Sequence, residues 1–386
     1  MMEYSIPYIL VYVFFGICAF LYENAGDDEE RKHRITIISA AAFFLFFGFR
    51  GYIYTDWIGY TDTFRNVEWE DLLKFDITEE NLREPGFTLL CLLIKTLTGE
   101  YVFLNIACTA IYLVLLLRFC RQFDIKNTSL VLMLFIAMDG AVIALNLMRN
   151  SISIAIWLNA LIYIKDRKPL QYFALCLLAL SFHLSAILYF PLYFALNVRL
   201  NKWIFGGAVL FFFLFFFTKQ SIILSIVQLF GLEGALGVKA EAYTELYVTS
   251  RGLNPSGTLE KFALATFVFI YYQELSERFN GGGHIILNIL LLYFFAYYFC
   301  GEFKTMSDRL STLFVFARWV VWIEIINILI IENNRKLLAG SIFLFCLYMT
   351  ALNYNDPILE YDNVLTGAKS EAQRRQVFYK IVPPDE

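Results

Sequence analysis

Apolar residues run along this chain in long unbroken stretches, and polar residues gather in short islands between them. Lipid offers no partner for backbone N–H and C=O groups, so a run of about 20 apolar residues reads as a helix able to cross the hydrocarbon. The pattern predicts helices over 5–22, 35–49, 101–118, 128–148, 150–164, 169–182, 184–198, 203–218, 260–273, 285–301, 310–331 and 337–353. All twelve are expected to span, giving an all-α, polytopic transmembrane bundle. That bundle forms a single domain over 1–353, followed by a C-terminal tail over 354–386. A shorter apolar piece, 86–98, carries Lys95 and is expected to be re-entrant or interfacial. The first stretch has no basic leader and no small-residue cleavage site, so it is expected to remain as a helix.

Composition agrees with the pattern. Of the 386 residues, 59% are apolar, 18% aromatic and 17% charged, whereas soluble domains carry about a quarter charged residues. The seven Cys lie in or beside apolar runs without a C-x-x-C pair, which suggests neither a disulfide framework nor a zinc site. Basic residues sort unevenly between alternate loops. The hairpins 23–34, 118–127, 165–168, 199–202, 274–284 and 332–336 hold 14 Lys and Arg in 46 residues. The opposite set, which includes loops 50–85 and 219–261 and the tail, holds 15 in 126. By the positive-inside rule the dense set is cytoplasmic, and the long loops 50–85 and 219–261 face outward.

Candidate chemistry lies on that outer side. Arg149 interrupts an apolar stretch of 35 residues, Leu130 to Ile164. Two helices cut from it are about 26 Å long each, so the hairpin barely reaches the far interface. A charge at such depth is a functional-site candidate, with a snorkelling side chain as the plainer explanation. His183 sits between arms of only about 22 Å and should lie below the surface; a structural His bonded to a neighbouring helix is the alternative. Loop 50–85 opens with Arg50, Asp56 and Tyr60 and closes with Glu84-Pro85-Gly86-Phe87. Loop 219–261 carries Tyr243 and Tyr247 near carboxylates, a pattern that suits sugar binding and equally a solvated loop. Arg309 precedes a span with Arg318 and Glu324 at depth. Phosphate-binding G-x-x-x-x-G-K-[ST], H-E-x-x-H and Cys/His ligand spacings are absent, as are basic stripes for nucleic acid.

Taken in order, Arg50 with Asp56, Tyr60 and Phe64, then Glu84-Pro85-Gly86-Phe87, Met148-Arg149-Asn150 and Phe182-His183-Leu184-Ser185-Ala186 resemble the Wzy-type polysaccharide polymerases, in particular the EpsG-like branch. The blocks cover about residues 45 to 195, and beyond them only Asp308-Arg309-Leu310 is similar. Thr55 stands where the family commonly has Gly before the Asp.

The resemblance implies a GT-C-like architecture in a bacterial inner membrane, with the active site facing the exterior or periplasm. It implies an inverting glycosyltransferase that uses undecaprenyl-diphosphate-linked oligosaccharide as donor and a second repeat unit as acceptor. No cofactor and no metal are expected, and the expected partners are membrane lipid, a flippase and a chain-length regulator, with no nucleic acid. Arg50, Arg149 and Arg309 are expected to converge on the diphosphate, since guanidinium forks pair with phosphate oxygens. Tyr60, Tyr243 and Tyr247 are expected to hold the acceptor. His183, whose imidazole titrates near 6.5 in isolation, is expected as general base with Asp56 orienting and Glu84 as a substitute. A flippase or other transporter, a ligase of the O-antigen type or a membrane acyltransferase remain as alternatives. The absence of an internal repeat and the low count of 8 Pro count against a transporter.

Overall fold

The computed structural model describes residues 3–72, 84–218 and 255–381. Among them the chain is helical, with one isolated antiparallel bridge between Arg50 and Asn363. It divides into two compact units, residues 1–195 with 336–386, and residues 196–335.

The first unit contains α1 (Ile6–Glu23), α2 (Glu29–Gly48), α3 (Trp57–Asn66), α4 (Pro85–Thr98), α5 (Tyr101–Gln122), α6 (Thr128–Ala137), α7 (Gly140–Leu145), α8 (Met148–Lys165), α9 (Pro169–Phe182) and the single turn α10 (Leu192–Ala195). The chain re-enters this unit within the helix Glu332–Asn353 and ends in the helix Glu371–Ile381. Local chemistry explains the starts. Asp28 accepts the Arg31 N–H ahead of α2, Asn127 accepts that of Leu130 ahead of α6, and prolines open α4 and α9 where a missing N–H does no harm.

Predicted spans are broken in both units, twice in the first. The stretch 128–148 is interrupted at Met138 and Asp139, the latter at φ 64°, and again at Asn146 and Leu147. The stretch 184–198 forms a 3₁₀ turn over Leu184–Tyr189 and then α10. Below the second break, Trp157 donates to the Tyr172 hydroxyl at 3.1 Å and stacks on Tyr189, while Tyr172 donates to the Tyr189 carbonyl at 2.6 Å. Those bonds pin α8, α9 and the 3₁₀ turn to one another.

The second unit begins with α11 (Lys202–Phe217) and continues with helices Pro255–Ile270, Tyr272–Glu277, Gly283–Tyr298, Lys304–Phe314 and Phe316–Ile328. Its interior holds charge. Glu260 accepts from Arg318 Nε at 3.1 Å on both oxygens, from Arg318 Nη2 at 2.7 Å and from Trp322 Nε1 at 2.6 Å. Lys261 Nζ lies 3.9 Å from Glu260 and 4.2 Å from the Tyr297 ring centroid. All three charged residues are buried. A carboxylate in such surroundings is tolerable only when paired and fully hydrogen-bonded.

By length and composition, four described helices can cross a membrane: Ile6–Glu23, Tyr101–Gln122, the stretch Gly283–Gly301 and Glu332–Asn353. The pair Lys304–Phe314 and Phe316–Ile328, bent by 52°, makes a fifth. The protein is therefore a membrane-embedded helical protein. Helices occur at nearly all the predicted places, but α4, α6, α9 and α11 are apolar and shorter than a full span.

Glu260→Gln keeps the shape of the side chain and leaves Arg318 and Lys261 buried without their carboxylate. It should cost about 3–5 kcal/mol of stability, read as a lowered Tm of the detergent-solubilised protein. An unchanged Tm refutes this role.

Candidate functional site

Four separated sequence blocks meet in the first unit. Gly86 lets the start of α4 lie against the end of α9, since a Cβ there would sit 2.4 Å from Ser181 Oγ and 2.9 Å from its carbonyl oxygen. Glu84, just before α4, is thereby buried, and its Oε2 accepts from Arg149 Nη1 at 2.6 Å. Arg149 occupies the first turn of α8, with its guanidinium 5.7 Å from the Tyr60 ring centroid. Tyr60 in turn packs on Phe87, with ring centroids 5.7 Å apart. The side chain of Arg149 remains 35% exposed, and its Nε–H has no hydrogen-bond partner.

Asn146 closes the other side of this arrangement. Its Oδ1 accepts the backbone N–H of Asp56 at 2.8 Å and of Thr55 at 3.2 Å. The Thr55 hydroxyl lies 3.0 Å from Asp56 Oδ1 and 3.1 Å from Asn146 Oδ1; with a single proton it serves the carboxylate best, as the charged acceptor. The residue that departs from the family pattern thus orients the half-buried Asp56. Asn146 was not singled out in the sequence, because an Asn inside an apolar run carries no spacing signal.

His183 ends α9 in extended backbone, half-buried, and its Nδ1 accepts the Ser185 N–H at 3.2 Å. Ser185 Oγ is 2.7 Å from the same nitrogen and 3.2 Å from Asn150 Oδ1. An accepting Nδ1 carries no proton, so the neutral ring keeps its proton on Nε2. Asn150 follows Arg149 directly, which puts the imidazole turn and the guanidinium on one helix end.

The remaining expected residues stand differently. Arg50 is buried, donating to the Phe47 carbonyl and to Thr109 Oγ1 at 3.4 Å, and so closes the end of α2. Tyr60, expected to hold the acceptor, is 8% exposed and supports Arg149 with its ring. Burial pushes its phenol up to about 12, with Arg149 pulling the other way. Arg309 belongs to the second unit and is exposed on Lys304–Phe314. Tyr243 and Tyr247 lie outside the described residues. Among the described residues no three His, Cys, Asp or Glu side chains gather as metal ligands would.

The tail supports the loop that carries Asp56 and Tyr60. Val364 donates to the Phe49 carbonyl at 2.8 Å, Gly51 to that of Asp362 at 3.1 Å and Tyr54 to that of Ile358 at 3.0 Å. A Cβ on Gly51 would fall 1.9 Å from Asp362 Oδ1, so any larger residue there must displace that carboxylate. Glu371 pairs with Arg65 and accepts from Arg375 Nε at 2.9 Å, and Arg375 reaches Asp62 at 2.8 Å. These contacts hold the tail helix against α3.

The site therefore belongs to an all-helical, membrane-embedded protein and centres on a buried Glu84–Arg149 pair covered by Tyr60. The chain belongs to the EpsG family, whose model matches residues 33–363. The family carries a glycosyltransferase-like role in membrane polysaccharide biosynthesis. Comparison with curated proteins and with solved structures returned no match.

The tail latch should respond to acid. Burial works to raise the Glu371 carboxyl, but the hydrogen bonds from Arg65 and Arg375 outweigh it and hold the group below the usual carboxylate range. Its contribution is therefore complete above the unfolded value of about 4.3 and is lost as pH falls through the lowered folded value. The Tm difference between the wild type and Glu371→Gln should be present at pH 7 and shrink progressively as pH falls below about 4. It should also shrink in high salt, since Arg65 is exposed. A difference independent of pH contradicts the latch.

Proposed function

We propose that this EpsG-family protein polymerises lipid-linked oligosaccharide repeat units at the outer face of the membrane. The donor is an undecaprenyl-diphosphate-linked glycan and the acceptor is a hydroxyl of a second repeat unit. The shorter apolar helices then complete a twelve-span, GT-C-like bundle, and a flippase and a chain-length regulator are the partners that such a reaction calls for.

The observation that carries this reading is Arg149. Glu84 fixes one edge of its fork and Tyr60 its face, while part of the side chain remains exposed. An anionic oxygen at that opening meets the positive charge of the fork, and a guanidinium in a water-poor recess stabilises the charge that develops on a departing diphosphate. In the reaction the acceptor oxygen bonds to the anomeric carbon as the bond to the diphosphate oxygen breaks, with inversion, and the hydroxyl proton passes to a base. Asp56, aimed by Thr55 and Asn146, suits that base. The Ser185 N–H bonded to His183 Nδ1 favours the tautomer protonated at Nε2, which suits His183 to a donor's role better than to that of the base. This reverses the roles expected from the sequence.

The test is chain growth by the purified protein on a synthetic lipid-diphosphate oligosaccharide. Asp56→Asn should lower turnover by about 10²–10⁴-fold, and His183→Ala by less. The opposite ranking returns the base to His183. Arg149→Lys should also impair turnover, because an ammonium lacks the planar fork that Glu84 and a phosphate can share. Transfer of a single unit without further growth points instead to a ligase.

A further inference from the structure

The second unit contains a cavity of about 650 Å³ that the glycan chemistry does not use, lined by the segment 199–203 and by residues from the 272–284 hairpin. Its walls are fixed. Asn288 Nδ2 donates to the carbonyls of Leu196 at 2.9 Å and Val198 at 2.7 Å, and Asn201 Oδ1 accepts the N–H groups of Trp203 and Ile204 at the start of α11.

Three features define what fits. Arg199 and Lys202 face one carboxylate, that of Glu277, which already accepts from Gln273 Nε2 at 3.0 Å, so positive charge is in excess. Tyr272 is 4% exposed, and its hydroxyl is buried without a hydrogen-bond partner. A buried hydroxyl in that state is costly, and an acceptor on a ligand would relieve it. Beside the cations, Trp203, Ile204 and Ile270 are more than half exposed, with Lys202 Nζ 5.5 Å from the Trp203 ring centroid. An exposed Trp next to Lys, continuing into exposed aliphatics, is the composition of a membrane interface.

We propose that this cavity binds the phosphate headgroup of an anionic membrane phospholipid. Arg199 and Lys202 take the phosphate, the Tyr272 hydroxyl donates to a headgroup oxygen, and the acyl chains follow the exposed face of Trp203, Ile204 and Ile270. A free phosphate would meet the same cations, but the apolar rim favours the lipid. Both hairpins belong to the set dense in basic residues, so the site faces the leaflet that the sequence predicts to be cytoplasmic.

The test is native mass spectrometry of the detergent-purified protein titrated with phosphatidylglycerol, phosphatidylcholine or inorganic phosphate. Saturable binding of phosphatidylglycerol is expected, at least about tenfold weaker in the Arg199→Gln, Lys202→Gln double variant. Those side chains are exposed, so the fold is retained. Tyr272→Phe removes only the hydroxyl and should weaken binding by about tenfold as well. Unchanged affinity in the double variant overturns the proposal, as does equal affinity for phosphatidylcholine. Displacement of the lipid by millimolar phosphate assigns the cavity to a soluble anion and overturns it too.

Discussion

A carboxylate that leaves water must find a cation or lose its charge, and in this protein the burial of Glu84 organises the candidate site around that requirement. Its partner is Arg149, and bringing the two together takes the starts of α4 and α8 and the tight seat of Gly86 on Ser181. Tyr60 must then arrive from α3 to cover the guanidinium face. Removing one member of such a pair strands the other, at a cost of several kcal/mol, while the intact pair contributes much less. The pair thus acts less as a source of stability than as a condition that the surrounding helices must satisfy together. What it leaves over is chemistry: a fork held on one edge and open on another.

The same constraint shapes the tail and the second unit in different degrees. Outside the apolar spans, Glu371 and Arg375 work in partly solvated surroundings, where Arg65 is exposed and salt weakens the attraction. In the second unit Glu260 and Arg318 are shielded from solvent, and the bond from Trp322 completes the carboxylate. The first kind of pair can be released by acid; the second is part of the interior.

The division of roles proposed for Asp56 and His183 rests on their hydrogen-bond partners more than on residue type. Imidazole has the better intrinsic pKa for a base at neutral pH. Once its Nδ1 accepts the Ser185 N–H, the ring presents a proton and not a lone pair at Nε2. The carboxylate of Asp56, by contrast, is aimed by a hydroxyl that the usual glycine at that position would lack. Asn146 makes that aim possible by gripping two consecutive backbone N–H groups, a task open to any side-chain oxygen in the right place.

The hydrophobic pattern alone determined that the chain is helical and membrane-embedded. Nearly every predicted helix exists, because a run of apolar residues has one way to satisfy its backbone in lipid. The pattern also pointed to Glu84, Arg149, Asp56 and His183, since charges near apolar runs are rare enough to stand out. Tertiary structure decided the rest. The breaks at Asp139 and after His183 depend on backbone turns that hydropathy does not register. The burial of Tyr60, the closure of Arg50 onto the end of α2, and the docking of 354–381 on the Asp56 loop join residues up to about 300 positions apart. The role of Asn146 is of the same kind: an amide oxygen acquires its function from the two N–H groups it meets, and only the folded chain brings them to it.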